Sequence, residues 1–160
     1  LSAETTTGKY PLECVAVMKR IAAKMEETHP GEPNREIVLK SPKGKMLRSA
    51  AYLAQELGYV GIVIFTKGGY LARRLSSLRP KSPIFAFTDD ENVFRGLLME
   101  WGIEPFLIDF EAAPETTIET AFHYLLRRNW VRPGDLLIVI TNVLARDKII
   151  DSTQIRTIEG

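Results

Sequence analysis

Apolar residues recur along this chain with two different periods, and the alternation between them lays out the architecture. Leu12, Val15, Met18, Ile21, Ala22 and Met25 repeat at three- and four-residue spacing, which puts them on one face of a helix over 11–27. Pro11 suits the first position of that helix, where an amide would have no intrahelical partner. The stripe is expected to dock on the rest of the chain or on another copy. Thr28-His29-Pro30-Gly31-Glu32-Pro33-Asn34 then crowds turn formers together and interrupts the pattern.

From Lys45 onward helix and strand patterns take turns. Met46, Ala50, Leu53, Ala54 and Leu57 line a helical face that Gly58 ends, and Ile62-Val63-Ile64-Phe65 follows as a continuous apolar run. Such a run marks a strand buried on both faces, as in a parallel sheet. A helix over 69–78 carries Leu71, Ala72, Leu75 and Leu78 and stops before Pro80. Ile84-Phe85-Ala86-Phe87 is the second strand. Thr88 and Glu91 spell a capping box for a helix with Val93, Phe94, Leu97, Leu98 and Trp101 turned inward. Phe106-Leu107-Ile108 is the third strand. A helix after Pro114 carries Ile118, Ala121, Phe122, Leu125 and Leu126, and Pro133-Gly134-Asp135 turns into a fourth strand over 136–140. The last run, 153–159, follows a connection too short for a crossover helix and is expected to be an antiparallel edge strand. The pattern predicts an α/β fold: an open, mostly parallel five-stranded sheet with helices on both faces and the last strand antiparallel.

Size and charge narrow the functions. A chain of 160 residues can bury a core, but a complete barrel of eight βα units needs about 250. Lys plus Arg number 21 and Asp plus Glu 20, so no overall field steers the chain toward nucleic acid or an acidic membrane surface. Small molecules and other copies of the chain are the expected partners. The single cysteine, Cys14, excludes an internal disulfide, and no apolar run approaches the roughly 20 residues of a membrane span. With no signal-peptide pattern, the cytoplasm is the expected compartment.

One loop could carry chemistry. Thr66-Lys67-Gly68-Gly69 follows the first strand and opens a helix, and ligands of open α/β sheets collect at the carboxyl ends of strands. Two glycines let backbone amides approach an anion, the helix start adds partial positive charge, and Lys67 adds a full one. The spacing matches neither the dinucleotide fingerprint nor the Walker loop, and a plain glycine-permitted turn fits the residues as well. His29, His123 and Cys14 are too few and too scattered for a metal site. Asp89-Asp90-Glu91 suit the first turn of a helix through its dipole. Arg73 and Arg74 are expected to face solvent or a partner.

Three separated stretches share a further pattern. Ser2-Ala3-Glu4-Thr5, Gly8 and Tyr10-Pro11-Leu12-Glu13 lead into the first helix. Gly61 through Gly69 is followed by Leu78-Arg79-Pro80 and Pro83-Ile84-Phe85-Ala86-Phe87-Thr88. Gly102-Ile103-x-Pro105 precedes Pro133-Gly134-Asp135 through Thr141 and Ser152-Thr153-x-Ile155-Arg156. In this order they resemble pyruvate kinase, the glycolytic phosphotransferase that makes pyruvate and ATP from phosphoenolpyruvate and ADP. The resemblance implies that 1–28 are the last strand end and helix of the catalytic barrel, 29–44 a linker, and 45–160 the C-terminal regulatory and assembly domain. A chain opening on Leu1 with a polar turn before a helix then reads as a fragment.

The same resemblance implies that Ser2 and Glu4 lie on the nucleotide-side rim of the parent active site. It places no catalytic residue or metal ligand in this chain, Mg²⁺ and K⁺ belonging to barrel segments of the parent enzyme. Thr66, Lys67, Gly68 and Gly69 correspond to the loop that binds the phosphate of a sugar or nucleotide effector, and the domain contributes to a homotetramer. Tyr70 and Leu71 replace the Arg and Ser of sugar-bisphosphate-activated relatives, and the second effector loop, 142–152, has no glycine. A monophosphate effector or none is thus expected rather than fructose 1,6-bisphosphate. The alternative is a non-catalytic binding module of the same fold for a phosphorylated metabolite in another context; a purely structural assembly domain is the third reading.

Overall fold

The structure, a computed structural model, describes residues 2–28, 39–58, 60–111, 113–145 and 148–160, with the backbone alone for 142–145 and 148–150. The chain divides into two compact units, Leu1–Gly31 and Glu32–Gly160.

The first unit holds α1 (Ala3–Thr6) and α2 (Pro11–Thr28). Backbone amides of Thr5 and Thr6 reach the Ser2 carbonyl and that of Thr7 reaches Ala3. The hydroxyls of the same three threonines fold back onto those two carbonyls at 2.8–3.1 Å. Such local bonds stabilise a single turn and favour ending it. Helix α2 forms over the expected residues but buries none of them. Leu12, Val15, Met18, Ile21 and Met25 stand exposed along its apolar face.

The second unit runs α3 (Pro42–Glu56), β1 (Gly61–Phe65), α4 (Tyr70–Ser77), β2 (Ile84–Thr88), α5 (Glu91–Leu97), β3 (Ile103–Leu107), α6 (Pro114–Arg127), β4 (Leu136–Ala145) and β5 (Lys148–Thr157). The sheet order is β3-β2-β1-β4-β5. The first three junctions are parallel and β4 with β5 is antiparallel, the α/β sheet expected. Strand side chains alternate between two cores, as the period of two requires. Ile62, Ile64, Ile84, Ala86, Ile138 and Ile140 face the helices α3, α4 and α5. Val63, Phe85, Phe87, Phe106, Leu137 and Val139 face α6.

Three local expectations change. Helix α3 begins at Pro42 rather than Lys45, because the Ser41 hydroxyl accepts the Gly44 amide at 3.1 Å and caps it. Thr88 is not a cap but the last residue of β2; the Asp90 carboxylate caps α5 through the amides of Asn92 and Val93 at 2.8 and 3.0 Å. Helix α5 ends at Leu97, earlier than expected, which leaves Leu98 exposed and Trp101 only half-buried. The stretch expected as a loop over 142–152 is largely hairpin: Asn142 pairs with Asp151 and Ala145 with Lys148. Once the antiparallel ladder forms, Val143, Ile149 and Ile150 suit its continuation.

Strand order now locates a crevice. Strands β1, β2 and β3 proceed outward on one side, with α4 and α5 on one face. The chain then crosses through α6 on the opposite face and sets β4 on the other side of β1. The order reverses between β1 and β4, the kind of junction beyond whose carboxyl ends open α/β sheets bind ligands.

Candidate functional site

The residues at that reversal are 66–69. Thr66 extends the ladder one step past β1, its amide donating to the Phe87 carbonyl at 2.9 Å. Its buried side chain turns back, and the hydroxyl oxygen accepts the Gly69 amide at 3.0 Å. Gly69 sits at φ +73°, where a Cβ would come within 3.0 Å of Arg73 Nη1 and 3.2 Å of Val93 Cγ1. Glycine is required there by backbone and neighbours alike. Gly68, in contrast, is exposed, and a Cβ on it would meet nothing within 4 Å.

Gly69 is the N-cap of α4 and has no side chain to offer, so no cap bond covers the first-turn amides of Tyr70, Leu71 and Ala72. These amides and the partial positive charge of the helix end favour an anion. The Gly69 amide is already engaged with Thr66. Lys67 Nζ lies 3.4 Å from Asp89 Oδ2 and 5.9 Å from the centre of the Phe110 ring. Arg73 is exposed, as expected, and also braces the loop: Nη1 donates to the Gly68 carbonyl at 3.3 Å and Nε to Glu100 at 3.1 Å. Arg74 lies over the ring of the exposed Tyr70.

Arg73 and Asp89 are the residues that sequence reasoning missed. The signals were the four-residue step from Gly69 to Arg73 along one helix face, and the equal distance of Lys67 and Asp89 past two neighbouring strands.

Ser2 and Glu4 come together in the first unit. The Ser2 amide and hydroxyl donate to the two oxygens of Glu4 at 3.0 and 2.8 Å. The backbone amide of Glu4 itself, then the Ser2 hydroxyl and amide, hold this carboxyl below its usual range. The Cys14 thiol donates to the Glu4 carbonyl oxygen at 3.8 Å. His123 is exposed on α6 with Nδ1 2.8 Å from the Glu119 carbonyl oxygen; His29 lies outside the described residues. Among the described residues no group of three or more His, Cys, Asp or Glu side chains gathers to hold a metal ion. No helix among them is long and apolar enough to cross a membrane.

These elements define an open, mostly parallel α/β domain with a glycine-bearing, cation-bearing loop at its strand-order reversal, the place where sheets of this class commonly take ligands. Residues 45–152 match the family described as pyruvate kinase, alpha/beta domain. The chain is 32% identical over 153 residues to pyruvate kinase isozyme A, chloroplastic, of Ricinus communis, covering 90% of this chain and 26% of that protein. It is also 32% identical over 144 residues to pyruvate kinase 2 of a Synechocystis strain, covering 90% and 24%. Among solved structures, Cryptosporidium parvum pyruvate kinase in complex with ADP superposes with a TM-score of 0.81 at 25% identity, over 99% of this chain and 33% of that one. A second pyruvate kinase structure from the same organism gives 0.82 at 25% identity, over 99% and 32%. The chain belongs to the pyruvate kinase alpha/beta-domain family. It spans about a quarter to a third of the length of these relatives.

Proposed function

We propose that this chain is the regulatory and assembly part of a pyruvate kinase, with residues 1–28 closing the catalytic barrel, 29–44 linking and 45–160 forming the C-terminal domain. The whole protein then transfers a phosphoryl group from phosphoenolpyruvate to ADP in the cytoplasm as a homotetramer, and Ser2 and Glu4 border the nucleotide side of its active site. In this reading the Mg²⁺ and K⁺ of such an enzyme are held by other segments of the whole protein. Phosphoryl transfer depends on metal ions and positioned charges, and the chain by itself is not catalytic.

Within the domain, 66–69 are the effector phosphate site. The observation that carries this is the position of the loop, at the reversal of strand order in a chain of this family, with the first-turn amides of α4 uncapped. The anion sits against the amides of Lys67 and Gly68 and the start of α4, with the Thr66 hydroxyl donating and Lys67 supplying charge. The exposed Tyr70 offers no second cationic cradle, which favours a monophosphate over fructose 1,6-bisphosphate. Two measurements test the reading. The isolated chain should form no pyruvate above a buffer blank. Calorimetry against ribose 5-phosphate, glucose 6-phosphate, AMP and fructose 1,6-bisphosphate should find a monophosphate bound, and Lys67→Ala should weaken it about tenfold, as a charged hydrogen bond implies. Tight binding of the bisphosphate alone overturns the pocket argument, and binding of none favours a structural domain.

A further inference from the structure

The strand register carries a second consequence. Phe65 pairs with Phe87 across the parallel strands β1 and β2, and the ladder continues through the Thr66 amide to the Phe87 carbonyl. Two residues beyond that pair on each strand stand Lys67 and Asp89. Their 3.4 Å contact thus joins residues at matched positions beyond the last register pair of the two strands. The two ends are unequal. The Asp89 side chain is 28% exposed and that of Lys67 78%, so the carboxylate is the fixed partner and the ammonium the movable one, on a flexible four-carbon stem. Phe110 flanks the ammonium from the β3 side.

The neighbouring charges are otherwise engaged. Asp90 accepts the amides at the start of α5, Glu91 is paired with Arg95, and Arg73 is paired with Glu100. Asp89 is the carboxylate at the end of β2 whose ion pair is with the loop, and Lys67 is the loop's cation.

We infer that Asp89 sets the anion affinity of the 66–69 loop by holding the Lys67 ammonium, so that an anion at the start of α4 must take that ammonium from it. The inference rests on the anion-site reading above and adds its regulation: the loop is tuned to weak capture, and the tuning residue is a carboxylate on the adjacent strand. Asp89 is thus an affinity-setting residue and not one that touches the ligand.

Two measurements on the full 160-residue chain test this. The first reads the clamp itself: acylation of the Lys67 amine by an amine-reactive ester, followed by peptide mapping, should be about twofold faster in Asp89→Asn, in keeping with a surface ion pair. The second reads its consequence with inorganic phosphate as the probe, titrated by calorimetry into wild type, D89N, K67A and the double variant. D89N should bind phosphate about threefold more tightly, the gain that releasing a surface ion pair allows. In the K67A background the same change should gain less than about 1.5-fold, because no ammonium is left to release.

Unchanged Lys67 labelling in D89N, or an equal gain in both backgrounds, overturns the inference while leaving the anion site standing. Absence of phosphate binding in all four proteins overturns the anion-site reading, and this inference with it.

Discussion

Gly61 and Gly68 stand seven residues apart and show how differently one residue type can be used. A Cβ on Gly61 would lie 2.4 Å from the Phe85 ring, which is 1% exposed and wedged against Phe106 and Trp130. That ring has nowhere to go. Gly61→Ala should therefore destabilise the domain by about 1–3 kcal/mol, the usual cost of overpacking, read as a lower urea midpoint with an unchanged slope. Gly68→Ala should stay within about 0.5 kcal/mol, because its Cβ would meet open space. A change in the reverse order would show that the close approach at Gly61 is relieved in solution. Nothing in the letters separates these two glycines. The candidate loop was legible in sequence because Thr, Lys and two glycines sit between a strand and a helix. What those residues touch was not, since the Arg73 brace and the Asp89 clamp come from α4 and from the neighbouring strand.

Between elements, the firmest polar tie joins the first turn of α6 to the edge strand β5. Both nitrogens of the Arg156 fork donate to Glu115, at 2.6 and 2.8 Å, while Nε donates to Gln154 at 2.8 Å. The hydrogen bonds from Arg156, and secondarily its charge, pull the Glu115 carboxyl below its ordinary 4.5 and raise Arg156 in turn. A carboxyl whose folded value is depressed stabilises the fold fully above its unfolded pKa and loses that contribution as pH falls through the folded one. The stability difference between wild type and Glu115→Gln should be constant above about pH 5.5 and shrink below pH 4.5. Glu115 is 55% exposed, so solvent screening holds the plateau to about 1 kcal/mol or less. Urea titrations at several pH values would check this, and a difference that grows toward acid would refute it. Element order was readable from the sequence because β1, β2 and the first half of β4 are nearly continuous apolar runs and the helices between them carry apolar stripes. Element ends were not, because caps are settled by single side chains: Ser41 extends α3 forward, and Asp90 rather than Thr88 opens α5. The antiparallel last strand was expected, but the extension of the β4–β5 pair through 142–152 escaped notice because glycine-free polar and β-branched residues read equally well as loop or ladder.

Among the described residues, full burial is confined to one unit. The residues of both hydrophobic cores run from Leu39 to Ile158, within Glu32–Gly160, whereas α2 buries nothing. Trp101 and Trp130, the two tryptophans of the chain, both belong to the larger unit, so fluorescence reports that unit alone. Deleting residues 1–31 should leave the unfolding free energy of that unit within about 0.5 kcal/mol of its value in the full chain, since every residue of both hydrophobic cores is kept. Self-association should respond in the opposite sense. Leu12, Val15, Met18, Ile21 and Met25, each between 48% and 81% exposed, make a contiguous apolar stripe of the kind that soluble monomers rarely leave open. The full chain should show a mass that rises with concentration in sedimentation experiments, and the shortened chain should not. Met18→Glu with Ile21→Glu, two charges placed on the stripe without shortening the chain, should abolish the rise equally. A large loss of stability on deletion would mean that α2 supports the domain. A concentration-dependent mass in the doubly charged variant would mean that the chain associates through another surface.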